Sequence, residues 1–354
     1  MVTLSDLGGW PGVLSRIAGR GDLSADEAAA ALADVLEGNA TPSQMAAFIF
    51  GLRCKGETVE EMTGLVRAMV ATAEGIDLDE ELRSTLVDTC GTGGDRSGTI
   101  NVSTIAALVV AGAGVRVCKH GNRAASSKAG SADVLEALGV VIDLGPRGVA
   151  RCVTEAGIGF CFAPRFHANL RYAGPTRREL GVPTAFNFLG PLANPAGVRR
   201  QVVGVGDPTM ALKMAGVLGA NGAVHALVVY GHDGLDELST TGPSTVVEWR
   251  SDVPDGVKTY VVEPAELGLS LASPGELKGG DAATNADLAR RVLDAERGPH
   301  RDIVLLNAAA ALVAGGAAAH LAEGLVLAAE AIDAGRAAAT LEHLIAVSQA
   351  AAGA

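Results

Sequence analysis

The feature that most restricts what this chain can fold into begins at Ser84. From there, short apolar runs end repeatedly in glycine-rich turns and pass into alanine-rich helices. TLVDT (85–89), VRVCKH (115–120), VVGVG (202–206), AVHALVVYG (223–231) and KTYVVEP (258–264) predict strands, and LSTTGPSTVVEWR (238–250) predicts an added hairpin. Strands alternating with helices of this length predict an α/β class, with a central, mostly parallel sheet flanked by helices on both faces. Such sheets bind ligands beyond the carboxyl ends of their strands. The chemistry is therefore expected just after TLVDT and VRVCKH.

The preceding residues read differently. Ser24 with Glu27, Thr41 with Gln44, and Thr58 with Glu61 are three capping boxes in a row, each an acceptor at the N-cap answered by Glu or Gln at N3. Pro42 stands where its missing N–H costs nothing, and Gly38, Gly56 and Gly75 are the expected stops. Met62, Leu65, Val66, Met69 and Val70 recur at helical spacing as a core or interface face. A helical domain over residues 1–83 and an α/β domain over 84–354 follow, as a length of 354 residues suggests.

Aromatics make up only 3% of the chain, so its core must be Ala, Val and Leu, supported by 46 glycines. Residues 303–322 carry no formal charge over a span nominally long enough for a bilayer, but only seven are Leu, Ile or Val. That stretch is expected to be a buried strand or turn leading into a core helix, with no membrane span. The N-terminus lacks a basic region followed by an apolar one, which predicts no signal peptide. Cys54, Cys90, Cys118, Cys152 and Cys161 are scattered and form no CxxC pair, as expected of reduced thiols in a cytoplasmic protein. A net charge of −12 disfavours binding to nucleic acid or an anionic membrane.

Two loops carry the chemistry. After Thr89 come Gly91-Thr92-Gly93-Gly94-Asp95 and then Asn101-Val102-Ser103-Thr104, which opens an apolar helix. Glycines that turn tightly and expose N–H groups, next to a helix N-terminus, make an anion cradle. The cradle is neither a Walker loop nor GxGxxG. The second loop holds Lys119, Arg123 and Lys128, three cations within ten residues of an acidic protein, with Ser126, Ser127 and Ser131 as hydroxyl donors. Two such loops at neighbouring strand ends suggest a ligand with two phosphate groups. Asp236 and Glu237, in GHDGLDELSTT with Asp233 just before, suit Mg²⁺ bridging those phosphates.

GTGGD, NVST, KHGNRAASSKAGSADVLEALG, FAPRFHANLRYAGPTRRELGVPTAFNFLGPLANP and DGLDE stand in the order of the anthranilate phosphoribosyltransferase family. The chain resembles that family over nearly its whole length, through LKGGDAATNADLARRVL and RDIVLLNAAAAL. The apolar run, acidic pair and Thr-Gly loop of the larger phosphoribosyltransferase class are absent, as expected of a family similar in fold to pyrimidine nucleoside phosphorylases. The resemblance implies a nucleoside phosphorylase/phosphoribosyltransferase-like fold, its helical domain completed by helices from about 175–200, and a homodimer formed through the N-terminal helices. It implies transfer of the phosphoribosyl group of 5-phosphoribosyl 1-pyrophosphate to the amine of anthranilate, a step of tryptophan biosynthesis.

Residue by residue, the resemblance puts Gly91, Gly94, Asp95 and Thr99 at the pyrophosphate and ribosyl groups, and Asn101, Val102, Ser103 and Thr104 at phosphate or metal. Lys119, His120, Gly121, Asn122, Arg123, Ala124, Ala125, Ser126 and Ser127, with Ser131, would complete the phosphoribosyl contacts. Ser103 and Glu237 would ligate Mg²⁺, with Asp236 at a second ion; Gly91, Asn122 and Arg177 would contact anthranilate, with His167 near its access path. The family usually has Pro where Ala168 stands, Val where Thr176 precedes Arg177, and often His at Tyr230. Small changes in the anthranilate channel are expected from the first two.

No nucleophile from the protein is required, because the amine of anthranilate already has a lone pair. Breaking the C1–pyrophosphate bond leaves an oxocarbenium-like ribosyl centre and a charged leaving group, which Mg²⁺ and preorganised N–H donors neutralise. Lys119 and His120 are the catalytic candidates; for His120, packing or hydrogen bonding is favoured over proton removal. Arg177 matches a planar carboxylate in bidentate fashion, whereas Arg178 is expected to be solvated. A pyrimidine nucleoside phosphorylase is the enzymatic alternative, disfavoured by Ser131, DGLDE and the short chain. A non-catalytic nucleic-acid-binding relative is the other, disfavoured by the net charge.

Overall fold

The computed structural model describes residues 2–124, 128–254 and 256–353. Its first helices are α1 (Gly9–Ala18), α2 (Ala25–Leu36), α3 (Pro42–Lys55) and α4 (Val59–Thr72). All three capping boxes form, with Ser24, Thr41 and Thr58 accepting from the N3 amides. Gly56 caps α3 with φ of 89°, a conformation costly for other residues. Gly75 is not the stop expected of it, because α4 ends earlier, capped by Ala73. Met62, Leu65, Val66 and Met69 are buried, whereas Val70 faces outward. α4 lies close against α2 at Gly64, where a Cβ would overlap the Ala25 carbonyl oxygen.

After the short helix α5 (Glu80–Thr85) the described residues form a seven-stranded sheet in the order β3-β2-β1-β4-β5-β6-β7. Its strands are β1 (Val87–Gly91), β2 (Val117–Gly121), β3 (Ile158–Phe162), β4 (Arg200–Gly204), β5 (His225–Gly231), β6 (Ser244–Arg250) and β7 (Val257–Val262). The first five in spatial order pair in parallel; β6 adds antiparallel to β5 and β7 antiparallel to β6. The fold is therefore the expected α/β architecture. The strand boundaries are shifted from the expected ones: Thr85 closes α5 rather than opening β1. β3 went unrecognised in the sequence, because IGFCF between Gly157 and an Ala-Pro start is too short to show a period.

Alternation along the strands builds two cores. Val202, Leu227, Val229 and Val246 enter the cluster that contains α6 (Val102–Gly112) and the helices Pro299–Gly315, Leu321–Asp333 and Arg336–Ala352. Val203, Ala226, Val228 and Val247 enter the cluster that contains α1 to α4, with Phe186, Phe188 and Leu189 from the helix Phe186–Leu192. Residues 303–315 are not a strand or turn but the body of the helix Pro299–Gly315, buried almost all round. An alanine-rich surface lets it pack closely on α6, and Gly316 at φ of 78° ends it. No helix among the described residues is long and apolar enough to cross a membrane.

Candidate active site

The chain runs from β1 outward to β2 and β3, then returns to place β4 on the other side of β1. β1 and β4 thus flank the topological switch point, where the loops at carboxyl ends diverge and leave a crevice. The glycine loop after β1, the loop after β2 and the 231–238 loop after β5 meet there. Gly93 and Gly94 adopt φ of 66° and 86°. Thr92 N donates to Gly204 O at 2.9 Å, and Gly206 N donates to Thr92 Oγ1 at 3.1 Å. A Cβ on Gly204 would overlap the Asp236 carbonyl oxygen, and one on Gly91 would come within 2.7 Å of Asp236 Oδ2. Backbone approach at these two glycines is what brings the acidic loop onto the cradle.

The acidic pair is wired directly into that cradle. Gly93 N donates to Asp236 Oδ2 at 2.7 Å, and Ser103 N, in the first turn of α6, donates to Glu237 Oε1 at 3.2 Å. Burial, then the neighbouring Asp95 charge, pushes Asp236 up to about 7. Burial and the Asp236 charge push Glu237 up to about 8, against the opposing pull of Lys119. Three carboxyl groups held together against their own repulsion are a donor set suited to a hard cation. Among the described residues no full cage of three or more His, Cys, Asp or Glu ligands converges. Mg²⁺ takes one or two carboxylates and completes its shell with phosphate and water.

Asn307, in the helix Pro299–Gly315, clasps the next residue: Leu238 N donates to its Oδ1 at 2.9 Å and its Nδ2 donates to Leu238 O at 2.8 Å. In the sequence Asn307 sits within the uncharged stretch 303–322, where nothing local marks it as a clasp. Asp88 on β1 was missed altogether. It is buried, accepting from His120 N at 3.1 Å on Oδ1 and from Asn194 Nδ2 at 2.8 Å on Oδ2. Desolvation raises its pKa despite the charge of Lys119.

The second loop departs from a purely anion-facing reading. Lys119 is buried, its ammonium donating to Thr89 O and, at 3.3 Å, to Ser103 Oγ; its charge acts under the cradle rather than in the loop. Arg123 is turned away, bonded to Asp133 and Glu136 at 2.8 Å each and stacked over Phe162. Its guanidinium is thus already neutralised by α7 (Ser131–Ala137), whose two acids were in plain view in the sequence. Asn122 is exposed at the crevice, Thr104 is buried in α6, and Lys128 is exposed. Ala125, Ser126 and Ser127 lie outside the described residues.

His120 is buried, with Nδ1 donating to Gly190 O at 3.1 Å and Nε2 without a partner among the described residues. Burial, then the adjacent His167, lowers it to about 3, so the ring is a neutral imidazole. This disfavours proton removal by His120, a role better served by a pKa near the working pH. His167 is 4% exposed, its ring 5.1 Å from that of His120 and its Nε2 donating to Ala193 O at 2.9 Å.

Arg177, in the helix Gly174–Leu180, is half-buried and stacks 5.1 Å over the Phe186 ring. Burial lowers its pKa, and among the described residues no carboxylate lies within ion-pair distance of it. Arg178 is exposed. A stacked, partly desolvated guanidinium without an acid beside it is a ready partner for an external planar carboxylate.

The chain matches the model of the glycosyl transferase family, a/b domain, over residues 83–338 and that of the helical bundle domain over residues 11–73. It is 53% identical over 346 residues to the anthranilate phosphoribosyltransferase of Salinispora arenicola, covering 96% of this chain and 97% of that protein. With that of Roseiflexus castenholzii it shares 52% identity over 92% of this chain and 95% of the relative. Among solved structures, the Thermus thermophilus anthranilate phosphoribosyltransferase superposes with a TM-score of 0.88 at 42% identity, covering 95% of this chain and 99% of that one. The Saccharomyces cerevisiae enzyme in complex with PRPP and Mg superposes with a TM-score of 0.86 at 27% identity, covering 96% and 98%.

Proposed function

The chain belongs to the anthranilate phosphoribosyltransferase family, and we propose that the crevice between β1 and β4 is its active site. The protein transfers the phosphoribosyl group of 5-phosphoribosyl 1-pyrophosphate to the amine of anthranilate, giving N-(5-phosphoribosyl)anthranilate and pyrophosphate, in tryptophan biosynthesis. The observation that carries this reading is the direct bonding of Asp236 and Glu237 to the N–H groups of Gly93 and Ser103, which makes the carboxylate pair and the phosphate cradle one unit.

In the reaction the anthranilate nitrogen forms a bond to ribosyl C1, the C1–O bond to pyrophosphate breaks, and the amine proton leaves to solvent. Asp236, Glu237 and the Ser103 hydroxyl would hold two Mg²⁺ ions, which supply charge neutralisation for the pyrophosphate. The glycine loop and the positive end of α6 face the phosphates, Gly93 N and Ser103 N hold the carboxylate pair beside them, and Lys119 adds positive potential beneath. Asn122 and Gly91 border the acceptor, and Arg177 pairs with its carboxylate. The amine already has a lone pair, so a neutral His120 serves by packing and orientation.

We read residues 1–83, with the helices of about 175–200, as a helical domain and 84–354 as the α/β domain. Packing of the helix Gly174–Leu180 on α3, and of Phe186–Leu192 on α4, supports this. The protein is cytoplasmic in this reading, in keeping with five unpaired cysteines. It forms a homodimer through the helical layer, supported by the exposed side chains of Phe50 on α3 and Val70 on α4. Sedimentation at micromolar concentration is expected to give twice the chain mass, and a monomer would contradict the assignment.

The acidic pair also predicts a pH signature. In the unfolded chain Asp236 and Glu237 ionise near pH 4, whereas in the fold they ionise at about 7 and about 8. Folded pKa values raised in this way give stability that is full below about pH 4 and lost as pH rises through the folded values. Metal-free protein should therefore melt at a lower temperature at pH 8.5 than at pH 5.5. Mg²⁺, which competes with the protons, should raise the melting temperature more at the higher pH. Differential scanning calorimetry showing an equal Mg²⁺ effect at both would contradict the site.

The reading itself is tested by following anthranilate fluorescence with and without phosphoribosyl pyrophosphate and Mg²⁺, beside a control with thymidine and phosphate. Loss of anthranilate only in the complete mixture is expected; release of thymine would favour the phosphorylase alternative.

A further inference from the structure

The chain beyond β7 comes back to the glycine loop. Ile100 N donates to Leu277 O at 3.1 Å and Gly279 N to Gly98 O at 2.9 Å, while Thr99 and Lys278 form an antiparallel bridge. Lys278 Nζ donates to Ser97 O at 2.5 Å. Residues 277–280 thus strap the loop from outside.

Asn285, in the helix Ala282–Leu293, closes the strap from inside. It is 2% exposed; its Oδ1 accepts from Gly280 N at 2.6 Å and its Nδ2 donates to Asn101 Oδ1 at 2.8 Å. Asn101 in turn donates its Nδ2 to Ala129 O, at 3.1 Å, in the loop after β2. Asn101 occupies the N-cap of α6 yet makes no side-chain cap bond there. Its amide is spent on joining segments, and its orientation is fixed at both ends, oxygen toward an NH₂ and NH₂ toward a carbonyl. Two amides, Asn285 buried and Asn101 partly buried, therefore tie together the start of α6, the loop after β2 at Ala129 and the strap.

We propose that Asn285 is a positioning residue that, through Asn101, holds the two phosphate-facing loops at the spacing phosphoribosyl pyrophosphate requires. The proposal rests on the reading of those loops as the phosphoribosyl pyrophosphate site. With Asn101 held by Asn285 and Ala129, the start of α6 and the loop after β2 keep a fixed spacing before the substrate arrives. Asn285 touches no substrate in this scheme; it acts by removing loop motion that binding would otherwise have to arrest.

The test compares wild type with Asn285→Asp, Asn285→Ala and the control Thr284→Ala, a neighbour whose hydroxyl donates to its own helix cap at Asp281. Asn285→Asp keeps the shape and the acceptor for Gly280 N, but sets an oxygen against Asn101 Oδ1. Rotating Asn101 to relieve this would turn its oxygen onto Ala129 O, so the mismatch persists. For both Asn285 variants, KM and the calorimetric Kd for phosphoribosyl pyrophosphate should rise about tenfold or more, as for one buried hydrogen bond left unmade. The maximal rate and the KM for anthranilate should change less than about threefold, and Thr284→Ala should bind as wild type does.

A lower melting temperature with unchanged phosphoribosyl pyrophosphate affinity would mark Asn285 as purely structural and overturn the proposal. So would equal losses for both substrates. If Asn285→Ala does not fold, Asn285→Asp decides alone. Wild-type protein that fails to bind phosphoribosyl pyrophosphate would overturn the functional reading and this proposal with it, whereas normal wild-type binding with a silent Asn285→Asp overturns the proposal only.

Discussion

The Asp236→Asn, Glu237→Gln double variant is expected to fold normally and to lose turnover by at least ~10³-fold, since removal of one preorganised stabiliser of leaving-group charge already costs about 10²–10³. Each amide keeps the volume of the acid and an oxygen to accept from Gly93 N and Ser103 N, so the loop remains tied to the cradle. What disappears is charge. In the metal-free protein those charges oppose one another and resist burial, which is why both groups are raised above the ordinary carboxylate range. The double variant should accordingly melt no lower than wild type at pH 8.5, and its melting temperature should no longer respond to Mg²⁺. Wild-type turnover at low millimolar Mg²⁺ would refute the metal assignment.

Arg177→Ala is expected to cost roughly 2–5 kcal/mol in kcat/KM for anthranilate, the scale for truncating one partner of a buried charge pair. The guanidinium is held in place by the Phe186 ring and has no carboxylate of its own to lose among the described residues. Its removal therefore leaves the incoming carboxylate desolvated and unpaired, with little effect on the fold. Arg177 belongs to the acceptor side, so the KM for phosphoribosyl pyrophosphate should move far less. Arg178→Ala, at an exposed position one residue on, serves as the internal control. A larger defect at Arg178, or equal loss of affinity for both substrates, would reopen the identity of the acceptor. Arg177→Lys should recover only part of the loss, because an ammonium cannot present the paired, planar donors.

What the sequence made legible is local. A capping box spans four residues, so Ser24, Thr41 and Thr58 announce their helices without reference to anything distant. Glycine loops at strand ends are equally local, and so the loops after β1 and β2 and the acidic pair could be found. The groups that hold them were not. Asn285 meets Asn101 across 184 residues and Asn307 meets Leu238 across 69. Nothing in either neighbourhood marks an asparagine as a clasp rather than a surface residue. Asp88 is concealed differently, as one polar position inside an apolar strand whose partners come from β2 and from the segment before β4. Arg123 was read in the sequence from its nearness to a phosphate loop, and the ion pairs it makes with Asp133 and Glu136, ten and thirteen residues on, were not anticipated. Residues 303–322 misled because alanine-rich burial looks alike in a strand and in a helix until length decides.

The most direct test of the account is the stoichiometry of the reaction itself. Purified protein with anthranilate, phosphoribosyl pyrophosphate and Mg²⁺ would be followed by anthranilate fluorescence, pyrophosphate release and mass spectrometry of the product together. The account predicts one pyrophosphate released for each anthranilate consumed and a product whose mass is that of anthranilate joined through its amine to a 5-phosphoribosyl group. It also predicts that the reaction stops when Mg²⁺ is chelated. Anthranilate left unchanged in the complete mixture, or pyrophosphate released at the same rate without it, would contradict the assignment.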